Sequence, residues 1–250
     1  MTAQSPRRVL VTGASSGIGA AVVHHLAGAG FEVHALARRD ERLAGLAAET
    51  GCRTHVADLR DTAAIEALAA IEPEILVNNA GLGAGIAGLA TASAGDIEQT
   101  IGVNVTAMLQ VLRVLLPGMI ARRRGHVVNI GSVAGIYPNL SAVYGASKGA
   151  VRQLGRNLRL ELRGTGIRVT EIQPGRVATE FYDATIPDDP TTRDRLKTTG
   201  IRELQPLDIA GAIHYAITAP AHVNVSAIEL QPLEQSFGGA HFDPVRGKGR

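Results

Sequence analysis

Short apolar runs alternate along the chain with stretches in which apolar residues recur every third or fourth position, and the alternation persists almost to the C-terminus. Residues 9–11 read as a first strand, followed by helical spacing over 20–29 that stops at Gly30. A second strand over 33–37 leads to a helix over 41–50, a short third strand ending at Asp58, and a helix over 62–71. Strand 75–78 precedes a long helix over 96–121, strand 126–130 precedes a helix over 142–163, and strand 167–172 precedes a helix over 206–219 and a last strand at 227–230. Strands that alternate in this way with helices imply βαβ units. The expectation is α/β: a single Rossmann-type domain over residues 1–250, doubly wound, with seven parallel strands and helices on both faces.

Two stretches break the rhythm. Residues 179–205 carry Pro187, Pro190 and charges of both signs, and so long an irregular segment in a compact domain reads as a functional lid. The tail 236–250 has four glycines and little periodicity, and reads as peripheral.

Composition narrows the classes. The chain has 250 residues, 45% hydrophobic and 19% charged, ordinary for a folded domain with a sizeable core. The net charge of +2 gives no reason to expect a nucleic-acid or membrane surface. The run Arg122-Arg123-Arg124 reads as a solvated helix end, where cations complement the dipole. Cys52 is the only cysteine, so no intrachain disulfide can form, and a reducing compartment, the cytoplasm, is expected. The N-terminus is polar, without the apolar core of a signal peptide, and no uninterrupted apolar stretch of about 18 residues follows.

Chemistry concentrates in two motifs. Thr12-Gly13-Ala14-Ser15-Ser16-Gly17-Ile18-Gly19 follows the first strand. Gly13 permits the tight turn, Gly17 lets the backbone approach a pyrophosphate, and Gly19 allows close helix–strand packing. The following helix offers free N–H groups to the phosphates. Such a turn is a weak signal alone; its place after strand 1 makes it specific. Tyr144-Gly145-Ala146-Ser147-Lys148 sets a phenol and an ammonium four residues apart, on one helix face. A neighbouring cation is expected to lower the phenol's pKa towards the working range of a proton donor. Together the motifs read as a nicotinamide-dependent oxidoreductase with no metal. The second strand ends in Arg38-Arg39 where a carboxylate would select NAD, so the cofactor expected is NADP.

With these residues in view, the chain resembles the short-chain dehydrogenase/reductase family of the compact type, over essentially its whole length. The likeness extends to Asp58, to Asn78-Asn79-Ala80-Gly81 after the fourth strand, and to Asn104 in the long helix. It includes Asn129-Ile130-Gly131-Ser132 and Pro174-Gly175-Arg176-Val177-Ala178-Thr179. Within the family, Leu116-Pro117-Gly118-Met119, Val151-Arg152-Gln153 and Pro220-Ala221-His222-Val223-Asn224 look similar to the NADP-dependent 3-hydroxy acid dehydrogenases. The stretch from Leu204 to Ala210 is similar to a secondary-metabolite branch that includes clavulanate dehydrogenase. The resemblance implies that Tyr144 exchanges the substrate proton and Lys148 supports it while binding the nicotinamide ribose. It implies that Ser132 holds the substrate oxygen, that Asn104, at a break in its helix, holds a water linking Lys148 to solvent, and that Thr179 holds the nicotinamide carboxamide. Ser15, Ser16, Ile18, Leu59, Asn79, Ala80, Gly81, Pro174, Gly175 and Val177 would line the cofactor with the residues already named.

Specificity is less legible. Ser132 and Tyr144 stand 12 positions apart where relatives more often have 13, so the loop 135–143 is shortened. Its tip residues Ile136, Tyr137, Asn139 and Leu140 either touch substrate or only close the loop. Residues 82–89 are small and offer room. Lid cations Arg193, Arg195, Lys197 and Arg202 could hold a substrate carboxylate, Arg202 and Arg193 foremost, or could only keep the lid soluble. A small β-hydroxy acid is expected, against a bulkier specialised metabolite acted on by a ketoreductase; a redox-sensing NADP-binding regulator is the non-enzyme alternative. Apolar positions on more than one side of helices 96–121 and 142–163 predict a homo-oligomer, a dimer or homotetramer.

Overall fold

Residues such as Val9, Leu10 and Val11 have no solvent exposure because their strand lies in the middle of a sheet covered on both faces. The chain is described by a computed structural model over residues 7–84, 88–139, 141–185, 189–236 and 242. Seven parallel strands are present: β1 (Arg8–Thr12), β2 (Glu32–Ala37), β3 (Arg53–Val56), β4 (Ile75–Asn78), β5 (Gly125–Ile130), β6 (Ile167–Pro174) and β7 (Ala227–Leu230). Their spatial order is β3-β2-β1-β4-β5-β6-β7. Registers such as Val9↔Val33, Val9↔Ile75 and Val127↔Val169 keep the carboxyl ends of the strands on one edge.

Alternation along each strand divides the core. Val9 and Val11 pack with Val22, Val23 and Leu26 of α1 (Gly17–Gly28), Leu43 of α2 (Asp40–Thr50), and Ile209, Ile213 and Ile217 further along the chain. Leu10 points to the other face, with Ile65 of α3 (Thr62–Ala67) and Leu68 in the 3-10 turn that follows it. That face also holds Val111 and Leu115, which lie beyond a first helical segment, α4 (Ala94–Ile101), on the segment α5 (Met108–Arg122). Val151 and Leu158 of α6 (Ala142–Glu161) complete it.

The sequence expectation of one helix over 96–121 needs correction. It starts at Ala94, where Ser93 and Asp96 form a reciprocal capping box, and a π-helical turn over Gly102–Ala107 separates α4 from α5. A π turn inserts one extra residue and turns a backbone position inward. The stretch Ala94–Arg122 is long and apolar enough to cross a membrane by length and composition, yet Val111, Leu112, Leu115 and Met119 are buried within the fold. Ile97, Leu109 and Leu160 remain exposed.

The lid also differs from an irregular loop. It contains α7 (Phe181–Thr185) and α8 (Pro190–Lys197), and α9 (Pro206–Thr218) follows it. Asp189 caps α8 through its side chain, accepting from Thr192 N, with Pro190 in the first turn. That proline therefore starts a helix, as the lost N–H costs nothing there. The third strand stops at Val56, short of Asp58. Pro187, Leu140 and, apart from Ser236 and Phe242, the expected peripheral tail lie outside the described residues.

Candidate active site

The sheet reverses its order between β1 and β4, which is where open α/β sheets form a crevice at the strands' carboxyl ends. A cleft of about 810 Å³ opens there. Its lining includes Arg38 and Arg39, the glycine-rich turn, Ser132, Tyr144 and, under the lid, Tyr182 and Leu196.

Gly13 and Gly17 have φ of +66° and +52°, the left-handed region that a side chain strains. A Cβ on Gly13 would lie 2.8 Å from Ala80 Cα, and one on Gly17 3.2 Å from Thr179 Cγ2. The turn is pinned by Asn79, whose Nδ2 donates to the carbonyls of Thr12 and Gly13 at 3.0 and 3.2 Å. The Thr12 hydroxyl accepts from the amides of Asn79 and Ala80. Ser16 precedes α1 without closing it by a side-chain cap bond, so the first amides of that helix stay available to an anion. The cradle fits a cofactor diphosphate. Ser15, Ser16, Ile18, Asp58, Leu59, Ala80, Gly81, Pro174, Gly175, Val177 and Thr179 all line the cleft.

Two expected cofactor residues do not reach its wall. Gly19 lies beneath the turn, where a Cβ would come within 2.6 Å of Asn79 Nδ2, so it permits close packing as expected but offers no contact surface. Asn78 is buried in the sheet and donates from Nδ2 to Asn129 Oδ1 at 3.0 Å.

At the β2 end, Arg39 reaches back over the turn. Its Nε and Nη2 donate to Ser15 Oγ at 3.0 and 2.9 Å, and Nη2 donates to Ser16 Oγ at 2.7 Å. Arg38 also lines the cleft. Asp58 is gripped by Arg60, whose side-chain and backbone hydrogen bonds hold the carboxyl down to about 2 against the opposing effect of burial. Sequence reading missed Arg42, although it stands three residues after Arg39 at the start of α2. Its Nη1 lies 2.6 Å from the carboxylate of Glu180.

At the β5 end, Ser132 Oγ accepts from Ala134 N at 3.1 Å, and Ser132 lines the cleft with Tyr144. Tyr144 sits in the first turn of α6, its amide held by the N-cap Ser141. Burial pushes the phenol up to about 12, the hydrogen bond to Ser132 pulls the other way, and Tyr182 adds to the rise. Lys148 is one turn further on the same face. Its Nζ donates to the Ile130 carbonyl at 2.8 Å and lies 5.8 Å from the Tyr144 ring centroid. Burial pulls the ammonium down to about 8, opposed by Glu171. In this geometry burial outweighs the lowering expected of this cation. Both groups are out of water, and each loses more by desolvation than it gains from its neighbours.

Asn104 stands in the π turn and is buried. Its Oδ1 accepts from Leu82 N at 2.9 Å, and its Nδ2 donates to Leu82 O at 2.8 Å and Ser147 Oγ at 2.9 Å. A Cβ at Gly81 would lie 3.3 Å from Asn104 Oδ1 and 3.5 Å from Lys148 Nζ. The amide is thus behind the lysine, tying the segment after β4 to α6, and it is not on the cleft wall.

The substrate end is more aromatic than the sequence suggested. Phe181 stacks obliquely on Tyr144 with ring centroids 5.5 Å apart, and Tyr182 packs against Phe181. Arg176, just after β6, holds the lid from below. Its Nε donates to Glu203 at 2.6 Å, its Nη2 donates to the Leu196 carbonyl, and its guanidinium lies 4.4 Å from the Tyr182 ring centroid. The expected lid cations are placed elsewhere. Arg193 and Lys197 face Asp183, Arg202 donates its backbone amide to Glu234, and none of the three lines the cleft; the Arg195 side chain is outside the description. In the shortened loop, Asn139 closes the turn by donating to Ala134 O and accepting from Ser141 N, and it also lines the cleft. Tyr137 bonds to Glu229 on β7. Among the described residues no cluster of His, Cys, Asp and Glu is placed to hold a metal.

Comparison with known proteins identifies the family of the chain. The family model described as short chain dehydrogenase matches residues 7–189. The chain is 41% identical over 241 residues to the NADP-dependent 3-hydroxy acid dehydrogenase YdfG of Escherichia coli, covering 92% of this chain and 97% of that protein. It is 39% identical over 240 residues to the serine 3-dehydrogenase of Agrobacterium fabrum, covering 92% and 96%. The closed form of a serine dehydrogenase complexed with NADP+ superimposes with a TM-score of 0.88 at 40% identity, over 93% of this chain and 97% of that one. The glycine cradle and the Ser132–Tyr144–Lys148 cleft thus sit in a chain that belongs to the short-chain dehydrogenase family.

Proposed function

We propose that this NADP-dependent oxidoreductase transfers a hydride between nicotinamide C4 and the carbonyl or carbinol carbon of a small 3-hydroxy or 3-oxo acid. The observation that carries the reading is that Ser132, Tyr144 and Lys148 line one cleft whose other end holds Arg38 and Arg39. When bound, the cofactor supplies the hydride. Ser132 and Tyr144 hold the substrate oxygen, and Tyr144 donates the proton as negative charge develops there. Lys148 binds the nicotinamide ribose and keeps positive charge beside the ring, and Asn104 orders the segment behind it. Asp58 and Leu59 flank the adenine, Asn79, Ala80 and Gly81 the riboses, and Thr179 the carboxamide. The buried thiol of Cys52 suits a reducing cytoplasm.

A substrate carboxylate is received by Arg176, the cation that lines the substrate end of the cleft. An NADPH-consumption screen over 3-oxo acids, serine, 3-hydroxybutyrate-type acids and bulky cyclic ketones tests this. Acids are expected to turn over, and Arg176→Met should raise KM for acids far more than for neutral ketones. A second reading, a ketoreductase for a bulkier metabolite, is favoured by the Phe181–Tyr182 wall and by the engagement of Arg176 with Glu203. Turnover of a cyclic ketone with no acid accepted would establish it in place of the first.

The exposed Ile97, Leu109 and Leu160 favour assembly through α4, α5 and α6 into a dimer or homotetramer with two-fold axes. Light scattering at micromolar concentration should give a multiple of the 26.1 kDa chain mass; a monomer would contradict it.

A further inference from the structure

Glu180 belongs to the lid, immediately before α7, yet its carboxylate meets the start of α2. Its Oε2 lies 2.6 Å from Arg42 Nη1 and 3.8 Å from Arg39 Nη1. Arg39 is the N-cap of α2 and Arg42 stands three residues on, so the two guanidiniums leave neighbouring positions of one helix face. Arg39 simultaneously holds the Ser15 and Ser16 hydroxyls. One acidic oxygen is thus shared by two guanidiniums beside two hydroxyls, the donor set that recognises a phosphate oxygen.

The contact is weakly held. All three side chains are about half exposed, and water screens such pairs. A phosphate monoester carries nearly two negative charges and three acceptor oxygens at neutral pH, against one charge and two oxygens on a carboxylate. In direct competition for this fork the phosphate wins. Asp58 does not enter the contest, since Arg60 already holds it.

We propose that Arg42 is a third cation of the 2′-phosphate site and that the Glu180 carboxylate stands in for that phosphate until the cofactor arrives. NADP(H) displaces Glu180 and frees the leading end of the lid, whereas NAD(H), lacking the phosphate, leaves the Arg39–Glu180–Arg42 bridge in place. Cofactor choice and lid position are then coupled through one residue. This rests on the NADP assignment.

Binding to the full chain, without substrate, tests it. NADPH, NADH, adenosine 2′,5′-bisphosphate and adenosine 5′-diphosphate are titrated calorimetrically into the native protein, Glu180→Gln, Arg42→Ala and the double variant. Glu180→Gln should tighten NADPH and the 2′,5′-bisphosphate by about two- to fivefold, the scale of an exposed ion pair. Arg42→Ala should weaken both by about tenfold, as for loss of one charge-assisted contact. NADH and 5′-diphosphate affinities should stay level in all four proteins, which also reports intact folding. In the double variant the gain from Glu180→Gln should shrink, because its partner is gone. Trypsin cleavage in α8 should accelerate with the 2′,5′-bisphosphate but not the 5′-diphosphate in the native protein, and lose that distinction in Glu180→Gln. Weaker NADPH binding by Glu180→Gln would overturn the proposal, since the carboxylate would then be orienting the arginines. Equal shifts for NADPH and NADH would overturn it too. Native protein that binds both dinucleotides equally would overturn the NADP assignment itself; a native preference for NADPH undiminished by Arg42→Ala overturns this inference alone.

Discussion

Tyr144→Phe is expected to lower turnover at least about 100-fold, the usual scale for a lost general acid, while NADPH affinity stays near native. The ring's place depends on packing against Phe181 and on the Ser141 cap of α6, which the substitution leaves alone. What disappears is the hydroxyl that shares the cleft wall with Ser132, and its proton. Pushed up to about 12 by burial, the phenol stays protonated across the neutral range, so reduction should be nearly flat in pH there as far as Tyr144 is concerned. Alcohol oxidation needs the phenolate and should accelerate as pH rises. Lys148, pulled down to about 8, should lose its charge as pH rises through that value and so limit the gain. Single-turnover reduction at saturating NADPH measures the loss. Native turnover by Tyr144→Phe would assign the acid to another group.

Arg38→Ala combined with Arg39→Ala is expected to cost about 2–4 kcal/mol of NADPH binding, from the magnitude of charge-assisted hydrogen bonds. NADH should be nearly indifferent. Arg39 contributes through more than its charge: it is held over the glycine-rich turn by Ser15 and Ser16, so part of the ordering it needs is already in place. Calorimetric titration of both dinucleotides checks the expectation, and equal losses for NADH and NADPH would mean that the variant disturbed the turn rather than a phosphate contact.

The strands and most helices were legible because a parallel sheet buried on both faces demands apolar runs, and covering helices demand a 3.6-residue period. The nucleotide cradle was legible because Gly13 and Gly17 adopt backbone conformations that favour glycine. The π turn around Asn104 was not legible in the apolar spacing, which one inserted residue barely disturbs; only the family resemblance implied a break there. The lid was misread because Asp189-Pro190 marks a helix start as readily as a break. Partnerships were the least legible part. Glu180 meets Arg42 across 138 positions of chain, Arg176 meets Glu203 across 27, and nothing in local spacing assigns Arg193 and Lys197 to Asp183. Arg193 and Lys197, which looked available to a substrate, are engaged with the lid's own Asp183, and Arg176, which follows a glycine at a strand end, lines the cleft wall in their place.

Transfer of deuterium from NADPH labelled at nicotinamide C4 addresses the chemistry most directly. The label is followed by mass spectrometry after incubation with the best-accepted oxo acid or ketone. The expected result is one deuterium on the new carbinol carbon with native protein, and almost none in the same time with Tyr144→Phe bound to the same cofactor. Tight NADPH binding with no label reaching any acid or ketone would contradict hydride transfer as the function of this cleft.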